Sequence, residues 1–149
     1  MTRYSFLVLM FVFTGLLAAQ QAMSTDERQI RDLIAAEDNG KRAPATSDRV
    51  FWSGAYKRPF IGDERGELVA EEQKAEAARV PESQRSKTTV RKIEIAKSGD
   101  LAYEFSDSEL SYQLKNAGRV SFPRSVLRIW KKDGGQWTVA AYFSQAHEQ

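Results

Sequence analysis

RSVLRIWKKDGGQWTVAAYFS, residues 124–144, is the stretch from which the fold can be read. Two runs rich in β-branched and aromatic residues flank Asp133-Gly134-Gly135. Glycines at that spot between two such runs are a strong signal for a tight antiparallel hairpin. Side chains alternate along a strand, so Arg124, Val126, Arg128 and Trp130 share one face of the first arm. Leu127 and Ile129 point the other way. In the second arm Trp137, Val139, Ala141 and Phe143 share a face, and Thr138, Ala140, Tyr142 and Ser144 share its opposite. Bulk on both faces implies that both are covered.

Upstream of this hairpin the period-two pattern continues. Ile93 and Ile95 alternate in one strand, Ser98-Gly99-Asp100 turns, and Leu101, Tyr103 and Phe105 share a face in the next. Further along, the bulky positions become Leu110, Tyr112 and Leu114. A one-residue slip flips every side chain, so this change of phase predicts a bulge near residues 106–109. Asn116-Ala117-Gly118 then turns the chain into the first arm of the last hairpin. The reading is a meander of four antiparallel strands.

The preceding half of the chain reads as helix, strand pair, helix. Ser24-Thr25-Asp26-Glu27 fits a capping box; Ile30, Leu33 and Ile34 form an apolar stripe, and Asn39-Gly40 gives the stop. Glu37 continues that stripe. A carboxylate there either reaches water at the helix end or looks into a cavity, where acid–base work becomes possible. Val50-Phe51-Trp52 begins a short strand, Pro59-Phe60-Ile61-Gly62 returns it, and Asp63 caps a second helix running to about Ala78, with a thin apolar face. Phe51, Trp52 and Tyr56 crowd one short stretch, and tryptophan and tyrosine, with their polar handles, often line pockets.

Composition narrows the function. The 149 residues suit one domain, residues 23–149. Residues 1–22 read as a secretory signal peptide: a short n-region with Arg3, 14 uncharged residues from position 6 to 19, and small residues at Ala18, Ala19 and Ala22. That run is shorter than a bilayer span. The expected product is exported, periplasmic or secreted, with no membrane association after cleavage. The chain contains no cysteine, so neither disulfides nor lipid attachment to a cysteine is available. Removing Arg3 from the 22 basic residues leaves one more than the 20 acidic ones, with no basic stripe to suit nucleic acid. One histidine, His147, makes a metal site or a histidine-based triad a poor fit, and no cofactor is implied.

The order of elements, ending in an arm such as LRIWKKDGGQWTV, resembles the nuclear-transport-factor-2-like superfamily, within it the SnoaL-like and ketosteroid-isomerase-like domains, across residues 25–144. The resemblance implies an α+β fold: a cone-shaped, strongly bent antiparallel sheet wrapped around the N-terminal helix. Its open end would be a pocket, and its outer face would pair two copies as a homodimer. It also implies that Arg124 points into the cone. Glu37 stands where relatives often have an aromatic residue, Ala141 and Phe143 stand where several carry histidines, and the isomerases' base-and-donor set has no residue-by-residue match.

Three functions follow as expectations. The first is a small-molecule-binding domain for an apolar or weakly anionic ligand. Trp52, Tyr56, Tyr103, Trp130 and Tyr142 would form its wall, with Glu37, Arg58 and Arg124 as polar anchors. The second is an isomerase or hydro-lyase using Glu37 as base, and the third an interaction module with a filled cone. No residue is assigned to catalysis. Arg124 and Arg128 read equally as surface residues bridging to a neighbouring acid. If Arg124 lies inside the cone, Glu37 is its natural counter-charge, and pairing would favour binding over proton abstraction.

Overall fold

The computed structural model describes residues 23–53, 58–64, 73–74 and 77–147. One helix, α1 (Thr25–Asp38), precedes six strands: β1 (Ala45–Ser53), β2 (Phe60–Ile61), β3 (Arg85–Ile95), β4 (Leu101–Leu114), β5 (Gly118–Asp133) and β6 (Gln136–Ala146). They form one open, curved sheet in the order β2-β1-β6-β5-β4-β3, with α1 on its concave side. The α+β cone expected from the sequence is therefore present. Its sheet, however, is mixed and not wholly antiparallel, because β1 pairs in parallel with β6. Parallel neighbours need a long crossover, and the whole β2–β5 segment supplies it. Of the expected second helix, Gly62–Glu64 form a 3-10 turn and most of the remainder lies outside the described residues, as does the expected signal peptide. Among the described residues no helix is long and apolar enough to cross a membrane.

α1 forms where its caps allow. Ser24 Oγ accepts from Glu27 N–H at 3.1 Å, while the Glu27 carboxylate turns to Arg31 at 2.8 Å and leaves the reciprocal half of the capping box unmade. At the other end Gly40, at φ +83°, takes the left-handed turn that a side chain would resist. Ile30 and Ile34 are buried against Ala102, Trp130, Trp137 and Val139, each isoleucine contributing about 1.5–3 kcal/mol. That cluster is the core.

The hairpin that anchored the sequence reading is real. Asp133 pairs with Gln136, and Gly134 and Gly135, at φ +54° and +84°, form the two-residue turn between them. Arg124, Val126, Arg128 and Trp130 do share a face, the concave one. The second arm differs from simple alternation. Ile129 pairs with Ala141 but Trp130 with Val139, so Ala140 is bulged out. The bulge puts Tyr142 and Ser144 on the same face as Trp137 and Val139, and Phe143 on the other.

In β4 the correction runs the opposite way. Its pairing with β5 is unbroken from Leu101 to Leu114, and the register shift lies in β3, between Val90 and Lys92. No phase slip occurs. Ala102, Glu104, Ser106 and Ser108 are buried, whereas Leu101 and Phe105 are 47% and 39% exposed on the convex face. Up to Ser108 the bulky residues of this strand point outward and its small and polar ones inward; Leu110 then lines the concave face.

Asp26 closes the narrow end, accepting from Lys132 Nζ at 2.6 Å and from Trp137 Nε1 at 3.2 Å. The Lys132 hydrogen bond, opposed by partial burial and helped by Trp137, holds the Asp26 carboxyl below its ordinary value. A carboxyl lowered in this way adds stability above its unfolded value, about 3.9, and loses it as pH falls through the folded one. Asp26→Asn should therefore cost about 1 kcal/mol at pH 7, given the partial exposure of the pair. It should also make the decline of melting temperature from pH 5 to pH 3 shallower than in the unsubstituted chain. Differential scanning fluorimetry across that range reads both effects.

Candidate functional site

The concave face is polar as well as apolar, and its charges are organised around Arg128. On β5 this side chain is 4% exposed and lies between two acids. Its Nη1 donates to Glu104 Oε2 on β4 at 2.9 Å, and its Nη2 forms an ion pair with Glu37 Oε2 on α1 at 2.7 Å. Glu104 is fully buried, and accepts in addition from Trp130 Nε1 at 3.2 Å and from Ser106 Oγ at 2.6 Å. Register makes this possible, because Glu104 and Arg128 are directly paired across β4 and β5 on the inner face. The guanidinium also lies over the rings of Trp130 and Tyr142, 5.8 and 5.6 Å from their centroids. Burial alone would push the Arg128 pKa down, but Glu104 and then Glu37 outweigh it and raise it. Arg128 stays a cation.

Beyond this network the concave face opens into a cavity of about 420 Å³, within the range of small-molecule sites. The end of α1 and its following loop bring Glu37, Asp38, Lys41 and Arg42 to it. Arg49 and Phe51 enter from β1, Ser86 from β3, Leu110 from β4, Arg124 and Arg128 from β5, and Tyr142 from β6. Phe51 and Tyr142 stack with centroids 5.4 Å apart and planes at 9°. The acids are already engaged. Glu37 Oε1 accepts from Ala43 N–H at 3.3 Å while Oε2 holds Arg128, and Asp38 takes both the N–H and the hydroxyl of Thr88 at 2.8 Å. Arg124 differs: its Nε is buried with no hydrogen-bond partner among the described residues.

Of the residues singled out in the sequence, Glu37, Arg124 and Tyr142 come together at this cavity. Glu37 pairs with Arg128, not with Arg124. Trp130 is buried beneath the cavity, in the core. Trp52 lies on the convex face, edge-on to Phe143 and 39% exposed, because Phe51 and not Trp52 has the inward parity of β1. Tyr103 also faces outward, donating to Glu94 at 2.7 Å, since β4 keeps its even positions inside. Arg58 is an exposed residue paired with Glu64 at 2.7 Å, away from the cavity. Tyr56 lies outside the described residues. His147 lies beside β5, its Nε2 2.9 Å from Ser125 Oγ and its N–H donating to Pro123 O at 2.9 Å. Sequence reasoning missed Glu104 and Phe51 and undervalued Arg128. The signal for Glu104 was its register opposite Arg128, countable back from the Asn116-Ala117-Gly118 turn.

No protein-family model matches the sequence, and no curated protein matches it. Solved structures do. A ketosteroid isomerase-like protein from Erwinia carotovora superposes with a TM-score of 0.60 at 18% identity, covering 87% of this chain and 99% of that one. A nuclear-transport-factor-2-like protein of unknown function from Prochlorococcus marinus gives 0.62 at 19%, covering 85% and 96%. A hexachlorocyclohexane dehydrochlorinase from Novosphingobium barchaimii gives 0.59 at 14%, covering 81% and 86%. This chain has the nuclear-transport-factor-2-like fold. In this instance of that fold, the cone interior is divided between a packed apolar end, a buried ion network and an open, cation-rich end. Among the described residues no group of three or more His, Asp or Glu is placed to hold a metal ion.

Removing one partner of a buried ion network leaves the other charge stranded, at a typical cost of about 3–5 kcal/mol. Arg128→Met should therefore destabilise the chain by about that amount in urea denaturation. Adding Glu104→Leu, which removes the stranded carboxylate, should recover most of the loss.

Proposed function

We propose that this chain is an exported binding domain for a small molecule held at the open end of the cone. The observation that carries the reading is the state of Glu37. It faces the cavity, yet each of its oxygens has a partner, Arg128 on one side and the Ala43 amide on the other. A general base must reach a substrate proton with an available oxygen lone pair; here Oε2 is held by Arg128, and proton abstraction at Oε1 would have to displace or share the Ala43 amide. The fold's neighbours include an isomerase-like protein and a dehydrochlorinase, which supports a ligand-binding or catalytic pocket. The cavity of about 420 Å³ supplies room in this chain, and the engaged acids favour binding. That volume also speaks against an interaction module with a filled cone.

The export signal and the paired state are further parts of the reading. Support for export is the 14-residue uncharged run ahead of Ala18, Ala19 and Ala22. Support for a homodimer through the convex sheet face is the exposure of Leu101, Phe105 and Trp52, large apolar side chains that a second copy would cover.

Native mass spectrometry of the protein purified from the exported fraction of its own cells tests these points together. The expected species is a dimer of chains lacking the first 19 or 22 residues, with a retained small molecule. A full-length, ligand-free monomer would overturn the reading. Phe105→Glu should convert the dimer to a monomer in size-exclusion chromatography with light scattering. Glu37→Gln should keep the retained small molecule. A turnover of that molecule that disappears in Glu37→Gln would show a catalyst instead.

A further inference from the structure

We infer that the ligand of this cavity is an organic carboxylate with an apolar body, its carboxylate seated on Arg124. The inference rests on the proposed binding role and names the chemical class that fits it. Three features of the cavity converge on that class. The first is a charge imbalance. Arg128 is committed to Glu104 and Glu37, and Asp38 to Thr88, while Lys41, Arg42 and Arg124 have no carboxylate partner among the described residues. The second is Arg124 itself, whose Nε is shielded from water and lacks an acceptor. The guanidinium of this cavity-lining residue has no acid neutralising it and matches a carboxylate, which accepts paired hydrogen bonds from such a group. The third is apolar lining. Phe51 and Tyr142, stacked on each other, and Leu110 line the cavity beside its cations. An apolar body packs against such a lining.

The same surroundings limit how much negative charge the site takes. Glu37 and Asp38 reach the cavity from the C-terminal end of α1, where the helix dipole is also negative. A doubly charged phosphate meets repulsion from that side, whereas a single carboxylate on Arg124 is met by a cation and an apolar lining. Lys41 and Arg42, exposed beside the cavity, draw anions in from solution and make binding sensitive to salt.

Isothermal titration calorimetry of the full chain with 2-naphthoate, the neutral isostere 2-naphthalenemethanol and inorganic phosphate tests the inference. Naphthoate should bind at least about 10-fold more tightly than the alcohol, and phosphate more weakly than either. Raising NaCl from 50 to 500 mM should weaken naphthoate and leave the alcohol unchanged. Arg124→Gln should cost naphthoate about 10- to 100-fold and the alcohol nothing. Arg124→Lys, which keeps the charge without the fork, should lie between. It carries the test, with the isostere and salt comparisons, if Arg124→Gln does not fold. Equal binding of acid and alcohol, naphthoate unmoved by either Arg124 substitution, or phosphate as the tightest probe would overturn the carboxylate assignment while leaving a binding domain. Failure of all three probes would overturn the assignment as well. If native mass spectrometry also finds no retained molecule, the binding role itself fails.

Discussion

The structure depends on one buried chain of charge, Glu104–Arg128–Glu37, which links β4, β5 and α1 across the concave face. Taking these groups out of water is expensive, and an apolar replacement of similar volume is often as stable. What an apolar replacement lacks is direction. Arg128 can satisfy both carboxylates only with α1 at one height and one rotation over the sheet, because Glu37 is on the helix and Glu104 on the strand next to Arg128. Asp26 with Lys132 and Trp137 fixes the other end of the helix in the same manner, and Asp38 with Thr88 adds a third attachment at β3. Ile30 and Ile34 supply the burial; the polar contacts supply the register.

This arrangement also creates the cavity. Where α1 ends, at Asn39 and Gly40, the sheet continues: β4 runs on to Leu114, and β5 starts at Gly118. α1 does not reach over the concave face past this point. Glu37 and Arg128 form the boundary between the two zones. On one side Trp130, Trp137 and Val139 pack against the helix, and on the other Phe51, Tyr142 and Arg124 surround open space. A change at Arg128 would thus be felt both as lost stability and as a moved cavity floor.

How much of this could be read from the chain depended on how far each inference was from a turn. The last hairpin was legible because Asp133-Gly134-Gly135 sets its register locally, and the concave face of β5 followed from it. The faces of β6 held only as far as Val139, since the bulge at Ala140 leaves no mark in a run of alanines and aromatics. In β4 the change of bulky positions from Leu101, Tyr103 and Phe105 to Leu110, Tyr112 and Leu114 predicts a slip, but the register is unbroken and the early bulky residues lie outside. Glu104, Ser106 and Ser108 carry no local mark of burial, because three polar side chains at alternate positions ordinarily face solvent. Their burial depends on Arg128 and Trp130 arriving from the next strand, a tertiary fact. At the site, Glu37, Arg124 and Tyr142 were found by their departures from pattern or by resemblance. Phe51 was passed over for the larger Trp52 beside it, and one step of parity separates the two.

The inversion of β4 connects the two faces of the sheet. A strand that turns glutamate and serines inward has given up apolar burial on its concave side, and compensates there with an ion network instead of with packing. Leu101 and Phe105 are then left on the convex side, exposed, with Leu127, Ile129 and Phe143 on the same face from β5 and β6. A contiguous apolar surface on a sheet face is unfavourable in water and is normally covered. The polar interior and the proposed pairing of two copies are therefore two consequences of one pattern. Making β4 conventionally amphipathic, with bulk inward, would fill the space around Arg128 and remove the reason for a second copy to cover the outside.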